Sequence, residues 1–233
     1  MSKIRRKAVV LVLSDEREPW RSVEEQGIRQ TWLTGVPKDQ VDVLFYYGGG
    51  QSIRGDRLYF PFEESLENIG RKTLGAFEYV DTVYDYDFVF RTNTSSYLDC
   101  ENYLKFLEQF DPEDHLYSAV KCVPPPGDPR PVFASGCGYT LSKRTLQFVL
   151  ADRWSWDHSV IDDLALAKLM LKHMIPVTEA PRFDFGDFSD HKVFRVADAA
   201  KHFHLRCKYH SDRSIDIARM HKAFLAYLEL RGV

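Results

Sequence analysis

At 233 residues with 44% apolar side chains, the chain is long enough for one sizeable α/β domain with a continuous core. A formal charge of -3, with acids and bases interspersed, excludes a general polyanion binder, because nucleic-acid affinity needs clustered cations; no nucleic-acid partner is expected. No stretch approaches the ~20 apolar residues of a membrane span, and four cysteines, Cys100, Cys122, Cys137 and Cys207, are too few for a secreted disulfide scaffold, so the expected setting is cytoplasmic and reducing, with buried thiols.

In chain order, Ala8 to Ser14 is an apolar run bounded by charge and reads as a buried first strand. Arg21 to Leu33 has helical spacing, and Val41 to Tyr47 is a second buried strand closed by Gly48, Gly49 and Gly50. Asn68 to Val83 reads as a helix and Phe88 to Arg91 as a short buried strand, so strand and helix alternate and a mostly parallel, doubly covered sheet is expected. Asp99 can cap a helix over Glu101 to Phe110. Pro124, Pro125, Pro126, Pro129 and Pro131 make a rigid extended loop. Ser142 to Ala151 and Ile161 to Met174 are helical, Pro181 to Asp190 is an aromatic and acidic loop, Phe203 to Tyr209 alternates, and Asp212 to Arg231 is a closing helix.

In open parallel sheets, ligands bind beyond the carboxyl ends of the strands, and that rule sorts the candidate residues. Asn93, Thr94, Ser95 and Ser96 follow the Phe88 strand; they suit a sugar or phosphate, and equally an Asx or Ser/Thr turn with a cap. Asp85 and Asp87 form an Asp-x-Asp that precedes this strand, so they belong to the opposite end of the sheet, in a solvated turn. Ser135 to Ser142 places Gly136 and Gly138 around Cys137, which permits close backbone approach to a ligand or simply a turn before an N-cap at Ser142. Asp162 and Asp163 open a helix after Trp154, Trp156 and His158. One of these carboxylates can serve as general base, while acids in a first helical turn are also favoured by the helix dipole alone. Along His202 to His210 the period is two: His202, His204, Arg206 and Lys208 share a face suited to a diphosphate or to solvent, and Cys207 lies opposite, which argues against a zinc site. Asp184-Phe185-Gly186 matches a kinase tripeptide, but no glycine-rich or catalytic loop accompanies it.

The order of these pieces resembles the β-1,3-galactosyltransferase and Fringe-like superfamily of GT-A glycosyltransferases. Ile28-Arg29-Gln30-Thr31-Trp32 matches its Ile-Arg-x-Thr-Trp element, and Glu67 to Thr73 is similar to its Asn-Leu-x-x-Lys-Thr helix. Ser135 to Ser142 resembles its Ser-Gly-x-Gly-Tyr-x-Leu-Ser turn, and Asp162-Asp163-Leu164 its Glu-Asp-Val element. The resemblance implies a single GT-A-like, Rossmann-type α/β domain over residues 1–233, with a mostly parallel central sheet flanked by helices. About residues 1–123 would be the nucleotide-sugar donor half and about 124–233 the acceptor half.

It further implies an inverting transfer from a UDP-sugar donor to a glycan acceptor, with Asp163 as base beside Asp162. Arg29 and Lys72 would lie near the nucleotide and donor-pocket floor, and Gly136, Cys137 and Tyr139 near the sugar and acceptor. The family's Lys-x-Asp-Asp-Asp run corresponds here to Arg91-Thr92-Asn93-Thr94-Ser95, which carries no carboxylate, so a divalent cation (Mn2+ or Mg2+) loses its main anchor and no metal ligand is assigned. The expected substitute is cationic: His204, Arg206 and Lys208 would neutralise the departing diphosphate, with Asn93 and Ser95 on donor ribose or sugar. Trp154, Trp156 and the loop Phe183 to Phe188, Phe185 included, would form the acceptor platform. The alternative is a carbohydrate- or nucleotide-binding module on the same fold that does not catalyse.

Overall fold

The computed structural model describes residues 3–187 and 193–233. Its centre is strand β1 (Ile4–Leu13), whose residues Ala8 to Val12 are wholly buried. An apolar run with no polar alternation can only be satisfied by cover on both faces, and that is what surrounds it. Parallel neighbours β2 (Val41–Tyr47) and β5 (Tyr84–Asn93) flank β1, with Leu13 in register with Tyr46 and Asn93. Outside β2 lie β4 (Arg57–Tyr59), parallel, and β3 (Ser52–Arg54), antiparallel to β4. Outside β5, β8 (Phe133–Ser142) runs antiparallel, followed by β7 (Tyr117–Cys122) and β9 (Thr178–Glu179). The eight-stranded order is β3-β4-β2-β1-β5-β8-β7-β9. The sheet continues unbroken across the proline-rich loop.

Val9 and Leu11 pack toward α2 (Ile69–Val83), α4 (Lys143–Ala151) and α5 (Asp162–Lys172). Ala8, Val10 and Val12 face the other way, toward α3 (Cys100–Leu107) and α7 (Ser214–Arg231). Helix α2 buries Gly70, Thr73, Leu74, Phe77 and Val80, one stripe at helical spacing. Asp99 and Ser142 cap α3 and α4, accepting from Asn102 N at 3.0 Å and Thr145 N at 3.2 Å. Over the second face a small sheet, β10 (Arg182–Asp184), β11 (His204–Arg206) and β6 (Ser96–Leu98), leans on the upper end of β5 and β8. The four-residue helix α6 (Val196–Ala199) packs against α7.

Several segments differ from the sequence reading. Residues 21–33 do not form one helix: a turn of α1 (Trp20–Ser22) passes into a π-helical stretch, Val23–Ile28, and then a 3-10 turn, Trp32–Gly35. Gly27 weakens this stretch as a helix, and a Cβ there would stand 2.7 Å from the Met220 sulfur, so Met220 would have to shift. Ser135 to Ser142 is strand, not turn, its glycines serving close packing. The alternating run 203–209 is strand only over three residues, and the aromatic loop contains β10. Asp85 and Asp87 do lie at the amino end of β5, but in ion pairs with Arg5, Lys7 and Lys143 and not in a turn. Two thiols, Cys122 and Cys137, are half-exposed.

Candidate functional site at the strand carboxyl ends

The carboxyl ends of β1, β2 and β5 open at one edge, and β8 enters the sheet from that same edge. Between β1 and β2 the chain leaves a cleft of about 580 Å³, walled by Asp15, Arg17, Gly48, Gly49, Tyr59 and Glu64. On the other side of β5, the β7–β8 pairing slips between Ala119 and Lys121, so the entering segment Ser135-Gly136-Cys137 is bulged away from regular alternation. Bulges of this kind re-aim side chains.

Beneath the bulge lies Arg91, fully buried. Its Nε donates to Tyr46 Oη at 2.9 Å and its Nη1 to the Gly136 carbonyl, and its Nη2 pairs with Asp162 Oδ2 at 2.7 Å. Burial works against the guanidinium charge, and Asp162 more than restores it. The neighbouring Asp163 differs. Its Oδ2 accepts from Gly136 N at 3.1 Å and its Oδ1 from Leu164 N at 2.8 Å, and no cation pairs with it among the described residues. Burial, and next the charge of Asp162, raise its pKa above the usual aspartate value. Gly136 is required: a Cβ would meet Asp163 Oδ2 at 2.7 Å. One carboxylate is thus locked in an ion pair, and the other is held by backbone at the site edge with a strengthened proton affinity. That is the division of labour an acid–base site needs.

At the end of β5, Asn93 Oδ1 accepts from Ser95 N at 3.0 Å, an Asx turn, and Thr94 N donates to the Leu13 carbonyl. Ser95 Oγ accepts from Arg213 Nη2 at 2.6 Å. These residues do not fit a hard divalent cation: they offer an amide oxygen already engaged and a hydroxyl already facing a guanidinium. Among the described residues no three His, Cys, Asp or Glu side chains converge as ligands.

Guanidinium groups crowd the other side of the bulge. Arg182 donates to Ser135 Oγ at 2.7 Å and pairs with Asp184 at 2.8 Å. Arg206 donates to Cys137 Sγ at 2.9 Å and forks onto Asp187. Arg213 pairs with Asp216 at 3.2 Å.

No family model and no curated protein matches the chain. Solved structures do. Over 91% of this chain and 98% of its own length, a glycosyltransferase involved in the glycosylation of the major capsid of PBCV-1 superposes with a TM-score of 0.52 at 9% identity. A galactosyltransferase, LgtC, in complex with donor and acceptor sugar analogs matches over 97% of both chains with a TM-score of 0.53 at 11% identity. The fold is GT-A.

On this GT-A fold the structure gathers Arg91, Asn93, Gly136, Cys137, Asp162, Asp163 and Arg206 at one place, with Thr94 and Ser95 at the strand end beside them. Lys72 is buried under the β1–β2 cleft against Glu64, which also accepts from Gly48 N. Arg29 lies over the Phe45 ring, 4.3 Å from its centroid, in ion pairs with Glu24 and Asp56 at a surface cleft beyond β2.

The cationic stripe does not form. His204 is buried edge-on against Phe90 with Nε2 3.1 Å from Ser96 Oγ, and burial, with the nearby Arg182 charge, pushes its pKa well below the usual value, which favours the neutral ring. Lys208 lies past the end of β11, half-buried. The acceptor platform is not assembled either. Trp156 is core, packed on Gly70. Trp154 is 83% exposed under Arg153, which pairs with Glu78 on the outer flank of α2. Tyr139 lies wholly beneath the sheet surface beside Arg91, and Phe185 packs edge-on against Phe183 and tilted against Phe194. Aromatic side chains near a polar site fill core as readily as they stack on ligands. Phe188 lies outside the described residues.

Arg182 and Arg213, which the structure brings to the bulge and the end of β5, belong to no motif of the sequence. The Arg182-Phe183-Asp184-Phe185 alternation was the available signal for a strand with one polar face.

Proposed function

We propose that this chain is a glycosyltransferase that moves a sugar from a nucleotide-sugar donor, a UDP-sugar, to a hydroxyl of a glycan acceptor with inversion at the anomeric carbon. The observation that carries the reading is Asp163, a carboxylate of raised proton affinity with no ion-pair partner among the described residues, held by backbone N–H groups at the carboxyl edge of a GT-A sheet. The Fringe-like order of the Ile28, Lys72, Ser135 and Asp162 elements supports the same assignment.

In this mechanism the donor nucleoside occupies the cleft beside Gly48 to Gly50, and its diphosphate reaches toward Ser95 and Ser135. The acceptor oxygen attacks the anomeric carbon as the bond to the diphosphate oxygen breaks. The electron pair leaves on the diphosphate, and the acceptor proton passes to Asp163. Asp162 stays ion-paired and keeps Asp163 basic by its charge. Protein donors in place of a metal stabilise the leaving group.

Calorimetry with uridine diphosphate, run with chelator and again with excess manganese, tests the donor and the metal independence together. Equal binding in both supports the reading. Binding only with manganese would assign the diphosphate to carboxylates of the β1–β2 cleft, such as Asp15 and Glu64, and remove metal independence. Asp163→Asn is expected to abolish transfer with donor affinity nearly intact. Loss of both in parallel refutes its role as base, and uptake of uridine diphosphate by the wild type without donor consumption supports the non-catalytic module. The anomeric configuration of the product, read by NMR, checks inversion directly.

A further inference from the structure

Three arginines from separate parts of the chain approach two adjoining segments, the β8 bulge and the end of β5. Arg182 on β10 bonds Ser135 Oγ, Arg206 on β11 bonds Cys137 Sγ, and Arg213 at the start of α7 bonds Ser95 Oγ. The anchors are themselves joined. Ser96 Oγ donates to the Cys137 carbonyl at 2.9 Å, Cys207 N donates to the Ser95 carbonyl at 2.8 Å, and Arg206 is the register partner of both Asp184 and Ser96. The guanidinium groups therefore form a rim around the bulge, and the middle residue of that bulge, Gly136, carries Asp163.

Such a rim is costly to build: like charges repel, and each group loses water. Here each guanidinium is held by one carboxylate, Asp184, Asp187 or Asp216, which satisfies part of its five-donor fork. Part is left over. Arg213 Nε is buried and has no hydrogen-bond partner among the described residues. A buried donor left unmade costs free energy comparable to a hydrogen bond, and a phosphate oxygen is an acceptor that would satisfy it.

We propose that Arg182, Arg206 and Arg213 are the diphosphate clamp of the donor site, engaging the phosphate oxygens between the nucleoside cleft and Asp163. This rests on the transferase reading for the identity of the donor. It keeps Arg206 from the sequence-based set and replaces the other two, because His204 is buried with a pKa well below the usual value and Lys208 lies outside the strand. Guanidinium forks are suited to this role, since they match phosphate oxygens two at a time and remain charged at any working pH. The paired aspartates hold the forks in place before the donor arrives, and the greater negative charge of the diphosphate draws the remaining N–H donors.

The test is calorimetric titration with inorganic pyrophosphate at fixed ionic strength and in chelator, for the wild type and for Arg182→Gln, Arg206→Gln and Arg213→Gln. Each variant is expected to weaken pyrophosphate about tenfold or more, the effect of one lost charge-assisted bond. Asp187→Asn supplies the opposite sign. It frees the Arg206 fork and is expected to tighten pyrophosphate by a few-fold, a gain that misfolding cannot produce. No pyrophosphate binding by the wild type, or unchanged affinity in the Gln variants, overturns the clamp. The transferase reading is tested separately by consumption of UDP-sugar: arginine-dependent pyrophosphate binding without donor consumption keeps the clamp and rejects the enzyme.

Discussion

Arg91 and Asp162 form an ion pair of 2.7 Å, with side chains only 2% and 7% exposed. Asp162→Leu strands a buried guanidinium, and Arg91→Met strands a buried carboxylate. Breaking such a pair from one side costs about 3–5 kcal/mol, against a total stability of about 5–15 kcal/mol for a domain. For a chain of this length, at about 2–4 °C per kcal/mol, each single variant should melt roughly 6–20 °C below the wild type. The double variant strands neither charge. It leaves only Tyr46 Oη and the Gly136 carbonyl short of the bonds Arg91 made, so it should cost about 2–4 kcal/mol less than the sum of the singles. Thermal unfolding followed by circular dichroism gives all four corners of the cycle. Singles that add to the double within about 0.5 kcal/mol would refute the coupling. Asp162 would then be free to serve as the base, and the assignment of that role to Asp163 would lose its reason.

Two further outcomes follow from the same neighbourhood. Gly136→Ala places a Cβ 2.7 Å from Asp163 Oδ2; it should lower kcat about a hundredfold by displacing the carboxylate, with KM for the donor little changed, and a large rise in KM would contradict that account. Burial raises Asp216 to about 6, and the Arg213 charge holds it from rising further. A raised acid contributes stability that is complete below its unfolded value and is lost as pH climbs through its folded value. Arg213→Met pushes that folded value higher and widens the loss, so the melting deficit against wild type should be about 3–6 °C larger at pH 8 than at pH 5. An equal deficit at both pH values would mean that the pair contributes nothing through charge.

The sheet was legible where one residue type dominated. Ala8 to Val12 and Val41 to Tyr47 announce strands because both faces are buried, and the stripe of α2 repeats at helical spacing. Capping by Asp99 and Ser142 was legible because it is local. β8 was hidden, since its two glycines imitate a turn; they are there because Asp163 and His204 come within contact distance of their backbone. The aromatic residues misled for the opposite reason. Trp156, Tyr139 and Phe185 carry the same side chains that stack on sugars, and only the packing shows that they face inward. Asp162 and Asp163 are adjacent and identical in sequence, yet the fold gives one a cation and the other backbone amides. That distinction, and the convergence of Arg182, Arg206 and Arg213, depends on contacts between residues far apart in the chain.

The last helix closes a circuit. Met220 on α7 rests against Gly27, Tyr227 stacks on Tyr97 with ring centroids 5.3 Å apart, and Arg231 pairs with Asp99. The first helical stretch after β1 and the small sheet that carries β11 are therefore both clasped by residues 214–231. During synthesis the central strands can pair as they emerge, but the rim above them has no support until that final stretch has left the ribosome. A nascent chain halted before α7 would be a sheet with its carboxyl edge unassembled, exposing Tyr97 and Leu205 to any chaperone that reads apolar surface.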